Sequence, residues 1–165
     1  MEIRPERSGD VEAIREIARV AFRDHPHSRQ TEAAIIDGLR RANALSVSLV
    51  AVRDGTVVGH VAFSPVTIDG EGNGWYGLGP VCVLPELQRQ GIGQALIREG
   101  LACLRRMNAR GCVLVGDPDY YGRFGFISDP ALRCGDVPAE YLQRLVLGRT
   151  VPRGEVRFHP AFDAA

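Results

Sequence analysis

Apolar residues change their spacing along this chain, and each change marks a new element. Val11, Ile14, Ala18, Ala21 and Phe22 recur at helical intervals, which predicts an amphipathic helix over 9–23. Ser8 offers an N-cap, and Asp10 and Glu12 fall in the first turn, where the helix dipole favours carboxylates. Ahead of it, Ile3 and its neighbours read as a short strand closed by Pro5. After it, DHPHS (24–28) breaks the pattern, and a second helix over about 30–43 is expected to bury Ala34, Ile35, Leu39 and Ala42.

From residue 46 the period becomes that of a strand. SVSLVAVR, the pair Asp54-Gly55 and TVVGHVAFSPVTI form a hairpin pattern, Asp-Gly being a strong type I′ signal. DGEGNG (69–74) then turns the chain into WYGLGPVCV, which completes a three-strand antiparallel meander. Gly91 to Ala109 returns to helical spacing. Ile92, Leu96, Cys103 or Leu104, and Met107 make its apolar face, and Arg98, Glu99, Arg105 and Arg106 its wet face. Gly111 is expected to end that helix, and CVLVG (112–116) to be a short buried strand. DPDYYGRFGF (117–126) reads as a short helix begun by Asp117-Pro118 and stopped at Gly125. YLQRLVL (141–147) and GEVRF (154–158) are late strands. The order predicts an α+β fold, a mixed and mostly antiparallel sheet flanked by helices. One domain over 1–165 is expected, with 128–165 its least regular part.

Composition narrows the chemistry. Hydrophobic residues at 45 % and charged residues at 24 % are ordinary for a globular domain. The formal charge is zero and basic residues are little interleaved with aromatics, so neither nucleic acid nor a membrane surface is an expected partner. No stretch approaches the length of a membrane span. All 20 basic residues are arginine, which excludes Schiff-base lysine chemistry and a lysine general base. Cys82, Cys103, Cys112 and Cys134 show no C-x-x-C pairing and read as core thiols of a reducing compartment, with no metal site. With no apolar h-region in MEIRPERSGD, a cytoplasmic location is expected.

The segment PELQRQGIGQAL (85–96) follows the apolar run Val81-Cys82-Val83-Leu84 and opens the third helix. A strand that passes through a glycine loop into a helix places free N–H groups and a helix N-terminus around an anion. A dinucleotide fingerprint needs a third glycine where Leu96 stands, and a P-loop needs Gly-Lys-Ser/Thr where Gln94 follows Gly93. Neither fits. N–H groups from about Gln88 to Gly93 are placed to wrap a pyrophosphate without lysine, with Gln88 and Arg89 adding donors at the rim. Taken alone, the glycine pair fits a flexible helix start equally well.

The stretch V-C-V-L-P-E-L-Q-R-Q-G-I-G-Q-A-L resembles the acetyl-CoA signature of the GNAT superfamily of N-acetyltransferases: a valine-rich strand, a proline, then Gln/Arg-x-x-Gly-x-Gly/Ala opening a helix. Gln88, Gly91 and Gly93 hold the defining positions. A second family element, Tyr-x-x-x-Gly-Phe, is matched from Tyr121 to Phe126, and the order of elements agrees from residue 1 to about 127. GHVAFSPV (59–66), GDPDYYGRFGF (116–126) and VRFHPAF (156–162) are similar to a subgroup of small bacterial members described as predicted N-acetyltransferases.

The resemblance implies a GNAT-like fold, acetyl-CoA as acyl-donor co-substrate without a metal, and transfer of an acetyl group to a primary amine of a small molecule or peptide. Transfer is by direct attack through a tetrahedral intermediate. It implies cofactor contacts at Val81, Cys82, Val83, Gln88, Arg89, Gln90, Gly91, Ile92, Gly93, Gln94 and Tyr121. The strand 76–83 is expected to splay from 112–116 and admit the pantetheine arm near Val81 and Val83. A backbone N–H there would also polarise the thioester oxygen. Gly77, Gly79 and Pro80 favour such irregularity, though an ordinary bulge reads the same way. Tyr121 is the implied general acid for the leaving thiolate, and Tyr120 is expected to point elsewhere and pack. Many family members place an asparagine and an alanine where this chain has Gly116-Asp117-Pro118-Asp119; Asp119 either substitutes for that asparagine or, the reading its capping preference favours, only initiates the helix.

No base is assigned. Glu86 falls in the loop at the cofactor end, His60 reads as a core histidine, and His159 as structural. His25 and His27, with Asp24, lie between the first two helices, where family members build the acceptor pocket; a solvated polar loop is the other reading. A homodimer is common in such families. The missing base keeps a non-catalytic acyl-CoA-binding or regulatory module open beside the enzyme, and an unrelated nucleotide binder as a third reading.

Overall fold

The computed structural model describes residues 1–26 and 28–164, so the reading of His27 as part of an acceptor pocket falls outside the described residues. Strand β1 (Glu2–Pro5) leads through a short 3-10 turn into helix α1 (Val11–Ala21), and α2 (Glu32–Arg41) follows. β2 (Val47–Arg53) and β3 (Thr56–Pro65) form the hairpin. Asp54 and Gly55 turn it with φ of 52° and 79°, the two positive values of a type I′ turn. The apolar run expected to continue to Ile68 breaks at Val66, and Thr67–Ile68 forms a separate strand, β4. Then come β5 (Trp75–Val83), α3 (Ile92–Arg106), β6 (Gly111–Val115), α4 (Pro118–Tyr121), β7 (Ile127–Ser128), β8 (Leu132–Arg133), β9 (Leu142–Val146) and β10 (Gly154–Arg157).

Seven strands make one sheet in the order β1-β2-β3-β5-β6-β9-β7, and β4, β10 and β8 make a second, three-stranded sheet. In the larger sheet β5 and β6 run parallel, and the other pairs are antiparallel. Helix α3 covers one face, packing Ile92, Leu96, Ile97, Leu101 and Leu104 against Val61, Phe63 and Leu78. Helices α1 and α2 cover the other, where Ile14, Ile17, Ala18 and Ile36 meet Val50 and Cys82. Truncating one of these fully buried aliphatic side chains to alanine costs about 2–5 kcal/mol.

Several expectations about faces are corrected. In α2 the buried residues are Ile35, Ile36 and Leu39, while Ala34 and Ala42 are exposed. The helix has two surfaces to fill: Ile36 joins the α1 layer, and Ile35 and Leu39 pack with the C-terminal residues Ala161 and Phe162. In α3 Leu104 is buried, Cys103 only half so, and Met107 is 44 % exposed. That helix ends at Arg106 and the chain turns at Asn108, whose φ is 57°. Gly111 instead opens β6, under the ring of Trp75.

Two irregularities in β5 position everything that follows. Val61 pairs with Val81 but Phe63 pairs with Leu78, so Gly79 and Pro80 bulge out of register. The bulge flips the alternation, and Leu78, Val81 and Val83 all face α3 while Cys82 faces α1 and α2. On its other edge β5 pairs with β6 only at Trp75, Tyr76 and Gly77. Beyond Gly77 and Val113 the two strands part, leaving the rest of that β5 edge without a ladder partner.

Candidate functional site

Where β5 and β6 part, a cleft of about 530 Å³ opens between the end of β5, the start of α3 and the α4 turn. Val81, Val83 and Leu87 line its strand side, Arg89, Gly91, Gly93 and Gln94 its loop and helix side, and Tyr120, Tyr121 and Arg123 the opposite wall. Of the residues predicted to hold the acyl donor, Gln88 and Ile92 also line it. Cys82 and Gln90 do not. The Cys82 side chain is buried on the opposite face of the sheet, and Gln90 accepts a hydrogen bond from Arg53 Nη1 at 3.3 Å outside the cleft.

The glycine loop is shaped for an anion. Gly91 caps α3 with φ of 88°, a left-handed conformation that glycine takes without a side-chain penalty, and Arg89 is also left-handed at 64°. Ala95 is the first amide to bond back to the Gly91 carbonyl, so the N–H groups of Ile92, Gly93 and Gln94 have no partner within the helix. No acidic residue stands in that first turn to compete for them. Gln88 is not simply a rim donor: its Nε2 donates to the Val83 carbonyl at 3.0 Å, tying the loop to the last residue of β5.

Tyr121 sits where the strand side and the α4 turn converge. Its ring lies edge-on to Tyr120 and to Phe126, with centroids 4.9 and 6.3 Å apart. Burial, with the Tyr120 phenol and Asp117 adding to it, pushes the Tyr121 phenol up to about 12. The hydroxyl therefore stays protonated at neutral pH. Tyr120, expected to point elsewhere, also lines the cleft, and its hydroxyl is 3.6 Å from where a Cβ on Gly93 would lie. One turn of helix at the mouth of the cleft brings both neighbours to it. Asp117, whose carboxylate accepts from the Asp119 N–H at 2.9 Å, starts α4, with Asp119 exposed in the first turn.

Arg123 was not singled out by sequence reasoning. Its only signal is that it occupies a variable position of Tyr-x-x-x-Gly-Phe. Its Nε donates to the Tyr120 carbonyl at 2.9 Å, and its guanidinium carbon stands 4.6 Å from the centre of the Tyr120 ring.

The described histidines lie elsewhere. His60 is fully buried, with Nε2 2.8 Å from Ser48 Oγ. Ser48 donates its proton to Glu6 at 2.7 Å, so the imidazole must be the donor to Ser48, which leaves Nδ1 an acceptor with no partner among the described residues. Burial pulls the His60 pKa down to about 4, against the opposing pull of Glu6. It is a neutral core group. His159 Nδ1 accepts from the Ala161 N–H at 3.0 Å and starts the last 3-10 turn. His25 stacks at a tilt on Phe22, with centroids 5.8 Å apart. Glu86 is exposed in the turn after β5. Among the described residues no carboxylate or imidazole lines the cleft. No group of three His, Cys, Asp or Glu side chains among them is arranged to hold a metal ion, and no helix is long and apolar enough to cross a membrane.

A strand that splays, a glycine-opened helix and a tyrosine turn facing it define one class of protein. Residues 11–126 match the acetyltransferase (GNAT) family, and the chain belongs to that family, as an N-acetyltransferase by class. A crystal structure of a GNAT family acetyltransferase from Brucella melitensis, in complex with acetyl-CoA, is 52 % identical and superposes with a TM-score of 0.89 over 98 % of this chain and 97 % of that one. The YhbS protein of Escherichia coli, in a crystal structure with CoA, is 34 % identical with a TM-score of 0.90, covering 98 % of this chain and 91 % of its own. In sequence, the uncharacterized N-acetyltransferase YhbS of Escherichia coli strain K12 is 38 % identical over 127 residues, 76 % of this chain and 73 % of the relative. The sheet and helices of this chain are those of the GNAT fold.

Proposed function

We propose that this chain transfers the acetyl group of acetyl-CoA to a primary amine carried by a small molecule or a peptide, with the acyl donor lying in the β5–β6 cleft. One observation carries the reading: the same cleft joins the N–H groups at the start of α3, which have no partner within the helix, to the partly buried side chain of Tyr121. Crystal structures of relatives 52 % and 34 % identical, one with acetyl-CoA and one with CoA, support the choice of ligand.

Acetyl-CoA supplies the acetyl group and, as the amine displaces it, a leaving thiolate. The N–H groups of Ile92, Gly93 and Gln94 take the pyrophosphate without lysine. The unpaired edge of β5 beyond Gly77 offers backbone groups to the pantetheine arm and to the thioester oxygen. Tyr121 donates its proton to sulfur as the carbon–sulfur bond breaks. With its phenol raised to about 12, Tyr121 still holds its proton at neutral pH and has it to give to the departing sulfur. Among the described residues no carboxylate or imidazole lines the cleft, so the amine enters neutral, and the proton its nitrogen sheds on forming the amide passes through water and restores the Tyr121 phenol. Four free cysteines support a cytoplasmic location.

The test is release of free CoA thiol from acetyl-CoA across a panel of small-molecule and peptide amines. An acceptor-dependent rate that falls by about a hundredfold or more in Tyr121→Phe, the loss expected for a positioned acid, supports the reading. That no carboxylate or imidazole among the described residues lines the cleft favours a second reading, an acyl-CoA-binding or regulatory module. Tight acetyl-CoA binding with no consumption by any amine of the panel would select it.

A further inference from the structure

Gln143 is completely buried in β9, opposite Leu114 of β6 on one side and Ser128 of β7 on the other. Its Nε2 donates to the Gly116 carbonyl at 3.0 Å and reaches the Tyr141 carbonyl at 3.5 Å. Its Oε1 has no partner among the described residues. An apolar side chain of the same length would avoid burying that acceptor, and fully buried positions ordinarily hold such side chains. What the amide provides in return is its bond to Gly116. The ladder between β6 and β9 ends at Val115. The Gly116 N–H still reaches β9, donating to the Tyr141 carbonyl at 3.0 Å, but no backbone N–H among the described residues donates to the Gly116 carbonyl. Gln143 supplies that donor from its side chain, and so ties to β9 the peptide that leads from β6 into α4.

Resting on the reading above, we propose that Gln143 is a positioning residue that sets the place of Tyr121 in the cleft. Two links join them through Gly116. Asp117, the next residue, starts α4, and its carbonyl accepts from the N–H groups of Tyr120 and Tyr121 at 3.1 and 3.0 Å, so the turn hangs from the peptide that Gln143 holds. The ring of Tyr121 also lies against Gly116, where a Cβ would stand 2.6 Å from its Cε2. Releasing the Gly116 carbonyl therefore loosens both the start of the turn and the surface under the ring. The glycine loop keeps its own tie, the Gln88 bond to the Val83 carbonyl, and Gln143 itself does not line the cleft. Its influence falls on the acid and not on the anchor of the acyl donor.

The test measures kcat with an amine that wild type acetylates, and acetyl-CoA affinity by calorimetry, in wild type, Gln143→Met, Tyr121→Phe and the double variant. Gln143→Met keeps an unbranched side chain of similar length and removes the donor. It is expected to lower kcat about tenfold or more, toward the roughly 100-fold loss of an ångström-scale misplacement, and to leave acetyl-CoA affinity within about twofold. In the Tyr121→Phe background the same substitution is expected to change kcat by less than about twofold, because the hydroxyl it positions is gone. An unchanged kcat in Gln143→Met overturns the proposal, as does an equal loss in both backgrounds or a loss matched by weaker acetyl-CoA binding. Gln143→Asn, which draws the amide back by one carbon, supplies the same comparison if the methionine variant does not fold. A loss in Tyr121→Phe without one in Gln143→Met overturns this proposal alone. A Tyr121→Phe variant as fast as wild type, or a wild type that acetylates no amine, overturns the reading above and this proposal with it.

Discussion

The ring of Tyr121 rests directly on Gly116: a Cβ on Gly116 would lie 2.6 Å from Cε2 of Tyr121 and 3.1 Å from Cδ2. Gly116 is the residue after β6, so the strand that bounds the splay also sets the depth of the tyrosine. Gly116→Ala is expected to displace Tyr121 and to lower kcat on the order of 100-fold, the effect of an ångström-scale misplacement. Affinity for acetyl-CoA, measured by calorimetry, is expected to change far less, because the glycine loop is untouched. A kcat within twofold of wild type would show that Tyr121 does not depend on this contact.

Tyr121 also sets an expected pH profile. Its phenol is raised by burial to about 12, so it remains a proton donor throughout the range in which proteins are commonly assayed. The rate is expected to climb as the acceptor amine loses its proton, and then to hold to at least about pH 10, the ordinary tyrosine value. Tyr121→Phe is expected to lower the whole profile without moving its rising limb. A descending limb near pH 8 that vanishes in Tyr121→Phe would contradict the raised phenol.

Gln88 holds the loop to the strand through the 3.0 Å bond to the Val83 carbonyl. Gln88→Ala removes one partly buried hydrogen bond, worth about 1 kcal/mol, and is expected to weaken acetyl-CoA about fivefold. Gln88→Glu replaces the donor with a carboxylate against that carbonyl and beside the anion site, so its loss is expected to be larger. Equal affinities for wild type and both variants would leave Gln88 without a role in the site.

The buried His60 makes stability depend on pH. Its folded value of about 4 lies below the ordinary 6.5, so between those two values the unfolded chain binds more protons than the folded one. Stability from this group is complete above about pH 6.5 and is lost as the pH falls toward 4, by about 3 kcal/mol in all. Tm is expected to fall across that window, and a neutral replacement such as His60→Gln is expected to flatten the fall. A slope of the same size in wild type and variant would assign it to other groups.

How much of this was legible in the sequence follows from how local each signal is. The spacing in α1, the Asp54-Gly55 turn and the glycine-opened helix are local patterns, and the structure shows each of them. Faces set by distant partners were not legible. Ala34 and Ala42 satisfy helical spacing, yet Ile36 takes the inward place because the C-terminal residues Ala161 and Phe162 occupy a second side of α2. The flip of β5 at Gly79 and Pro80 placed Cys82 under α1 and α2, away from the cleft. Tyr120 and Arg123 were misread or missed because a single turn at the mouth of a cleft presents several consecutive positions to it, which no periodicity in the chain marks.

The most direct measurement is a calorimetric titration of the folded protein with acetyl-CoA, beside NAD and ATP. Saturable binding of acetyl-CoA alone, in the micromolar range near −8 kcal/mol, is the result this account expects. No binding of acetyl-CoA, or equal binding of all three, would contradict the assignment of the cleft between β5 and β6 to an acyl-CoA, and the role given to Tyr121 would fall with it.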